Sequence, residues 1–318
     1  MPSVKCRRCP VLAVRANVFE RPHGFRGTIS GSFGSIYSMF SFQQLARLTR
    51  GASRLKLSAT DTCRWLWSYY RSRLPGGASG SPSCVDIDVK IAGRSPLRVR
   101  IRNNGFDYDV VEEVLGRGVY SVEASDVRRV LDLGANIGIA SLYFATRYPG
   151  AEVCAVEPST LNQVVLEHNV KANNVPVRVV RGAVGEKDGR ARFVISGDPR
   201  QDFCEATGRA VTGQGTRIEV DQYSVPSLMR LMGWEEIDLL KIDIEGGEVS
   251  VLGGRPEWLR KVGAIVGEGH EGVGYSIEAC RRDLEPMGFE VQLLEKREGA
   301  AMVFFARRVT TYRKSQTA

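Results

Sequence analysis

The sequence predicts an α/β fold: a Rossmann-like, mostly parallel sheet with an antiparallel hairpin at its C-terminal end. Three observations predict it. Between residues 129 and 308, short apolar runs alternate with segments of helical period. The runs are dense in Val, Ile and Leu, as strands buried on both faces are. The first run leads into LDLGANIG at 131–138, where an acid and two glycines stand between a strand and a helix.

Taken in order, 129–133 reads as a strand and 138–147 as a helix. Residues 152–156 form the next strand, 159–173 a helix and 177–180 a third strand. Two strand-like runs, 192–195 and 217–220, flank a polar, Gly-rich loop at 196–216. A helix at 224–232 leads to a strand at 238–242, a helix opening at 248–252, a strand at 264–267 and a helix at 276–285. The runs 289–294 and 302–306 pair as a hairpin around KREGA. Upstream, VDIDVKI and LRVRIR alternate apolar and polar residues about the turn AGRSP, a second hairpin, and 107–120 is a short helix ending near a glycine. This divides the chain into a basic extension at 1–80, a hairpin-and-helix lead-in at 81–125 and the main domain at 126–310.

Charge is unevenly spread. Residues 1–80 hold 13 Lys or Arg against two acids, Glu20 and Asp61, while the remainder holds 31 basic and 34 acidic residues. The net charge of +8 therefore belongs to the N-terminal quarter, and no specific nucleic-acid partner is expected for the main domain. Three readings fit residues 1–38: a disordered tail, a transit peptide, or a segment preceding a start at Met39. Residues 40–74 carry Phe42, Leu45, Leu48, Trp65, Leu66, Tyr69 and Tyr70 among seven Lys or Arg residues. Such a basic amphipathic segment makes peripheral contact with an anionic membrane, or packs on its own domain or a partner subunit. PGGASGSPS at 75–83 reads as a linker. No apolar run approaches the roughly 18–20 residues that cross a bilayer. The seven cysteines are scattered, and Cys6-x-x-Cys9 has no second pair, so reduced thiols and a cytoplasmic location are expected.

The loop at 131–138 favours one kind of ligand. A dinucleotide fingerprint places a glycine two residues after the first, so that backbone can approach a pyrophosphate. Here that position is Asn136, and Asp132 ends the strand. Gly134 permits the turn and Gly138 lets the helix start pack closely. An acid at the strand end suits an amino-acid ammonium. The next strand ends in Glu157 of VEPS, placed to hold ribose hydroxyls, and GAVG at 182–185 lets adenine lie on Ala183 and Val184. These features fit S-adenosyl-L-methionine, which carries an ammonium and a sulfonium and no phosphate. A second acidic motif, LLKIDIEGGEVSVL at 239–252, sets Lys241, Asp243 and Glu245 at the end of the fourth strand, and IVGEGHEG at 265–272 adds Glu268, His270 and Glu271. Glu248 also suits a helix start.

In order and spacing, LDLGANIG, VEPS, GAVGEKDG and LLKIDIEGGE resemble the FkbM family of S-adenosylmethionine-dependent methyltransferases. The resemblance covers about residues 98–307, including Asp107 and Tyr120 of the lead-in. It departs modestly at Ser159, where Asn is commoner, and at Gly247, where Ala is. It implies the seven-stranded methyltransferase fold. It also implies a cofactor set of Tyr120, Asp132, Gly134, Ala135, Asn136, Gly138, Glu157, Pro158, Ala183, Val184 and Asp243. The implied reaction is O-methylation of a sugar, glycan or secondary-metabolite hydroxyl, with a lipid, protein or amine nitrogen as other acceptors. His270 is the candidate base because an unperturbed imidazole titrates near neutrality; Asp243 or Glu245 can serve instead, with Lys241 beside them. A metal-free site is expected. The absence of NPPY after the fourth strand argues against methylation of amide or base nitrogens. A nicotinamide-dependent oxidoreductase and a non-enzymatic binding module are the rivals, the former lacking its middle glycine.

Overall fold

The computed structural model describes residues 42–71, 83–91, 94–195, 203–205, 215–297 and 301–309. The expectations for 1–38 and for most of 75–83 and 196–216 lie outside them. Three central strands run side by side as β3 (Arg129–Leu133), β4 (Glu152–Glu157) and β5 (Val177–Arg181), followed in chain order by β10 (Ile237–Ile242), β11 (Val262–His270), β12 (Phe289–Arg297) and β13 (Ala301–Arg308). Their order in the sheet is β12-β13-β11-β10-β3-β4-β5. Neighbours are parallel except at β13, which is antiparallel to both β11 and β12. From β3 the chain steps outward to β4 and β5, then returns to place β10 on the other side of β3. The strand order therefore reverses between β3 and β10, the point beyond which an open α/β sheet binds its ligand.

The helices after β3 and β4 are α4 (Ile139–Arg147) and α5 (Thr160–Asn173). Helix α6 (Val225–Met232) is capped by Ser224, whose side chain accepts from the Ser227 N–H. Helix α7 (Glu248–Leu252) follows β10, and α8 (Ile277–Leu284) follows β11. A smaller sheet of order β6-β9-β7-β8 stands beside the main one, built from β6 (Ala183–Val184), β7 (Gly189–Ile195), β8 (Phe203–Cys204) and β9 (Thr216–Tyr223). GAVG is thus a bridge into this sheet rather than a plain turn: Ala183 and Val184 pair with Gln222 and Tyr223.

Upstream lie α1 (Phe42–Arg54), α2 (Ala59–Arg71), the hairpin β1 (Cys84–Val89) with β2 (Leu97–Arg102), and α3 (Asp107–Val111), which continues as a wider π-helical turn to Arg117. One core cluster takes Leu48 of α1 and Leu55 just after it, Trp65 and Tyr69 of α2, Val99 and Ile101 of β2, and Val130 of β3. Trp65 and Tyr69 meet Tyr108 edge to face, with ring centroids 4.4 and 5.6 Å away. The apolar side of the basic helices is thus spent on this chain's own core, while Leu45 and Trp67 remain exposed. The buried Arg102–Asp107 pair (2.8 Å) joins β2 to α3, and Arg102 also donates to Asn162 of α5. Among the described residues no helix is long and apolar enough to cross a membrane.

Candidate active site

Strand register decides which acids reach the ligand side. In the parallel ladders Asp132 of β3 lies opposite Ala155 of β4 and opposite Lys241 of β10. Counting two residues further gives Gly134, Glu157 and Asp243 as the next row on the same face, about 6.6 Å closer to the strand ends. The inner row is closed. Asp132 is fully buried, ion-paired to Lys241 Nζ at 3.1 Å, and accepts a 2.6 Å hydrogen bond from Ser141 of α4. Lys241 donates to the carbonyls of Gly134 (2.7 Å) and Leu133 (3.3 Å). Burial opposes its charge, but Asp132 and Asp243 outweigh that penalty and hold the ammonium above its ordinary pKa. Asp132, expected to meet a ligand ammonium, and Lys241, expected beside the reacting atoms, instead face each other behind the cavity wall.

The outer row opens on a cavity of about 240 Å³. Its wall includes Gly134, Asn136, Glu157, Pro158, Ala183, Val184, Asp243 and Glu245, all foreseen from the sequence. Glu157 accepts from the Asn136 N–H (2.8 Å), the Ser159 N–H (2.9 Å) and the Asn162 amide (3.2 Å), which fixes the carboxylate at the cavity edge. Gly134 has φ +77°, and a Cβ there would lie 1.8 Å from the Asp243 carbonyl oxygen, so no side chain fits. Asn136 and Glu245 take left-handed backbone at φ +52° and +53°. For Glu that conformation is strained, and such strain gathers at functional sites.

Besides Asp132, three foreseen cofactor residues lie behind the wall instead. Tyr120 is buried and donates from its hydroxyl to Asp243 Oδ2 at 3.2 Å. Ala135 packs with Ala155 and Leu166, its N–H bonded to the Val156 carbonyl. Gly138 seats the start of α4 against Leu166, as its close-packing role requires. Asn162, Phe193, Cys204 and Gln222 line the cavity and were missed. Asn162 alone had a signal, since it sits in the first helical turn after VEPS. The other three come from the second sheet, whose pairing no local motif reveals.

On the far side, His270 is wedged between Glu245 (Nε2 to Oε2, 3.4 Å) and the fully buried Glu248 (Nδ1 to Oε1, 3.3 Å). Burial disfavours its charge, but Glu248, Glu245 and Asp243 prevail and raise the imidazole pKa to about 10. The raised pKa favours the imidazolium, the form in which the ring of His270 holds Glu245 and Glu248 rather than accepting the proton foreseen for it as a base. Asp243, Glu245 and His270 do bring ligand atoms within 4.8 Å of one another, a spacing a divalent cation tolerates. The ion pair with Glu245 accounts for only one side of that triangle. Glu268 continues the outer row onto β11, opposite the place of Asp243. Burial first, then Asp243, push its pKa to about 8, despite its ion pair with Arg297.

No Lys, Arg or His is among the described residues of the cavity wall, and its three charged groups, Glu157, Asp243 and Glu245, are all acids. Such a wall repels a pyrophosphate and suits a cationic ligand without phosphate. The profile of the methyltransferase FkbM domain matches residues 132–302. The chain belongs to the FkbM methyltransferase family. It is an S-adenosylmethionine-dependent enzyme. The chain is similar to methyltransferase sdnD of Sordaria araneosa, with 28% identity over 194 residues, 51% of this chain and 73% of that protein. It is similar to 31-O-demethyl-FK506 methyltransferase FkbM of Streptomyces tacrolimicus, with 27% identity over 170 residues, 45% of this chain and 65% of that one. Among solved structures, the N-terminal domain of EvdMO1 with SAH bound matches at 14% identity and a TM-score of 0.36, over 63% of this chain and 81% of that one.

Proposed function

We propose that this FkbM-family enzyme methylates a hydroxyl group of a small molecule, a sugar, glycan or secondary metabolite, within the cavity between β3 and β10. The observation that carries the reading is the cavity wall itself, where strand-end residues of β3, β4 and β10 meet and, among the described residues, every charged group is a carboxylate. In this reading Glu157 holds the ribose hydroxyls, Ala183 and Val184 flank the adenine, and Gly134, Asn136 and Asp243 surround the methionine end. The bound cofactor supplies an electrophilic methyl on a sulfonium.

The chain's own contribution is placement and proton removal. Asp243 is steadied by the Tyr120 hydroxyl and keeps negative charge beside the cationic cofactor. Glu245, on the wall and oriented by His270, would take the proton of the acceptor hydroxyl. The imidazolium of His270 fixes that carboxylate and does not itself accept the proton. The name of the Streptomyces tacrolimicus relative, an O-methyltransferase of a secondary metabolite, supports oxygen as the nucleophile. Within this reading residues 126–310 form the methyltransferase domain, and the lead-in at 81–125 supplies Tyr120 behind Asp243. A transfer assay with methyl-labelled cofactor, run against glycans and small hydroxylated metabolites, tests it. Labelled methyl ether is the expected product; label found only on amines would redirect the reading to nitrogen.

A further inference from the structure

The cofactor loop is held from behind by a single buried cation. Lys241 is 3% exposed at its side chain, and its ammonium touches three partners on the loop strand: Asp132 Oδ1 at 3.1 Å, the Gly134 carbonyl at 2.7 Å and the Leu133 carbonyl at 3.3 Å. It also lies over the Tyr120 ring, 5.6 Å from the centroid, and Tyr120 in turn holds Asp243. Gly134 and Asp243 are both on the cavity wall, whereas Lys241, Asp132 and Tyr120 are not. A buried ammonium is costly unless its protons are taken up. Neutralising Asp132 would need only the ion pair. The short bond to Gly134 ties the charge to the one loop residue whose close approach to Asp243 forbids a side chain.

We propose that Lys241 is a positioning residue for the cofactor, fixing the height of the Gly134 turn against Asp243 and so shaping the methionine end of the cavity. It reaches the cofactor only through the loop. The inference rests on the cofactor placement given above. The alternative is that Lys241 serves only to neutralise Asp132 and keep the core stable.

The paired variant Asp132→Asn/Lys241→Met separates the two, because it removes both buried charges together and also removes the donor to Gly134. Calorimetric titration with S-adenosylhomocysteine and, separately, with adenosine reads the result on protein whose melting confirms that it is folded. The expected result is a loss of about tenfold or more in S-adenosylhomocysteine affinity, with adenosine affinity kept within about twofold, because adenosine uses Glu157 and the Ala183–Val184 end. Equal affinities to wild type, or an equal loss for both ligands, overturn the proposal. Should the pair not fold, Lys241→Arg, which keeps the charge but displaces its donors, is titrated with the same two ligands. A loss confined to S-adenosylhomocysteine then supports the proposal, and unchanged or equally weakened binding of both overturns it. Wild-type protein that binds neither ligand would instead defeat the cofactor placement itself.

Discussion

Asp132 and Glu157 are two acids at the ends of adjacent parallel strands, each followed by a turn into a helix, yet the fold uses them oppositely. Glu157 stands on the cavity edge, held by three N–H donors. Asp132 is sealed in the core by Lys241 and Ser141. The difference is one step of strand register. Asp132 pairs with Ala155, two residues short of Glu157, and that step separates a carboxylate on the cavity wall from one that is neutralised internally. Position relative to the sheet's outer row, rather than residue type at a strand end, decides function here.

The largest effect that can break this contrast is on stability. Asp132→Ala strands the Lys241 ammonium without its counter-ion, and breaking such a buried pair costs about 3–5 kcal/mol. Chemical denaturation should show that loss, while Glu157→Gln, which keeps a carbonyl oxygen for its N–H donors and strands no buried ion, should lower the midpoint clearly less. Equal destabilisation by both would erase the distinction. Next in size is turnover. Glu245→Gln removes the proposed proton acceptor and should lower kcat about a hundredfold with the cofactor KM little changed. A kcat within twofold of wild type would move the base elsewhere, with Glu268 the next carboxyl along the row.

A smaller effect is expected on binding. Glu157→Gln should weaken S-adenosylhomocysteine about tenfold or more by calorimetry, since bonds to a charged group contribute about 1.5–3 kcal/mol. The smallest concerns pH. The folded-state pKa of His270 is raised to about 10, so the stability it contributes is complete below about pH 6.5, its unfolded value, and fades as pH climbs toward 10. The melting-temperature gap between wild type and His270→Gln should therefore be widest near pH 6 and close by pH 10. A gap that widens with pH would mean the imidazole is buried neutral.

Much of this architecture was legible in the sequence, for identifiable reasons. The alternation of apolar runs and helical periods predicts the mostly parallel sheet, and the last two runs predict the antiparallel β12–β13 pair. Gly134, Asn136, Glu157, Pro158, Ala183 and Val184 were legible as cavity residues because one motif per strand end encodes each turn. The inner row was not, because LDLG and LLKID show an acid and a lysine near strand ends without showing that Asp132 and Lys241 face each other. The surroundings of His270 were not legible for a related reason. Its titration is set by Glu245 and Glu248, on a different strand–helix junction from its own. Phe193, Cys204 and Gln222 stayed hidden because the second sheet is assembled by long-range pairing.

The most direct test is a crystal structure with S-adenosylhomocysteine bound. The ribose hydroxyls should lie within hydrogen-bond distance of Glu157 and the adenine against Ala183 and Val184, with Asp132 still joined to Lys241 and Ser141. A ligand ammonium seated on the Asp132 carboxylate, or a ligand outside the cavity between β3 and β10, would contradict the account.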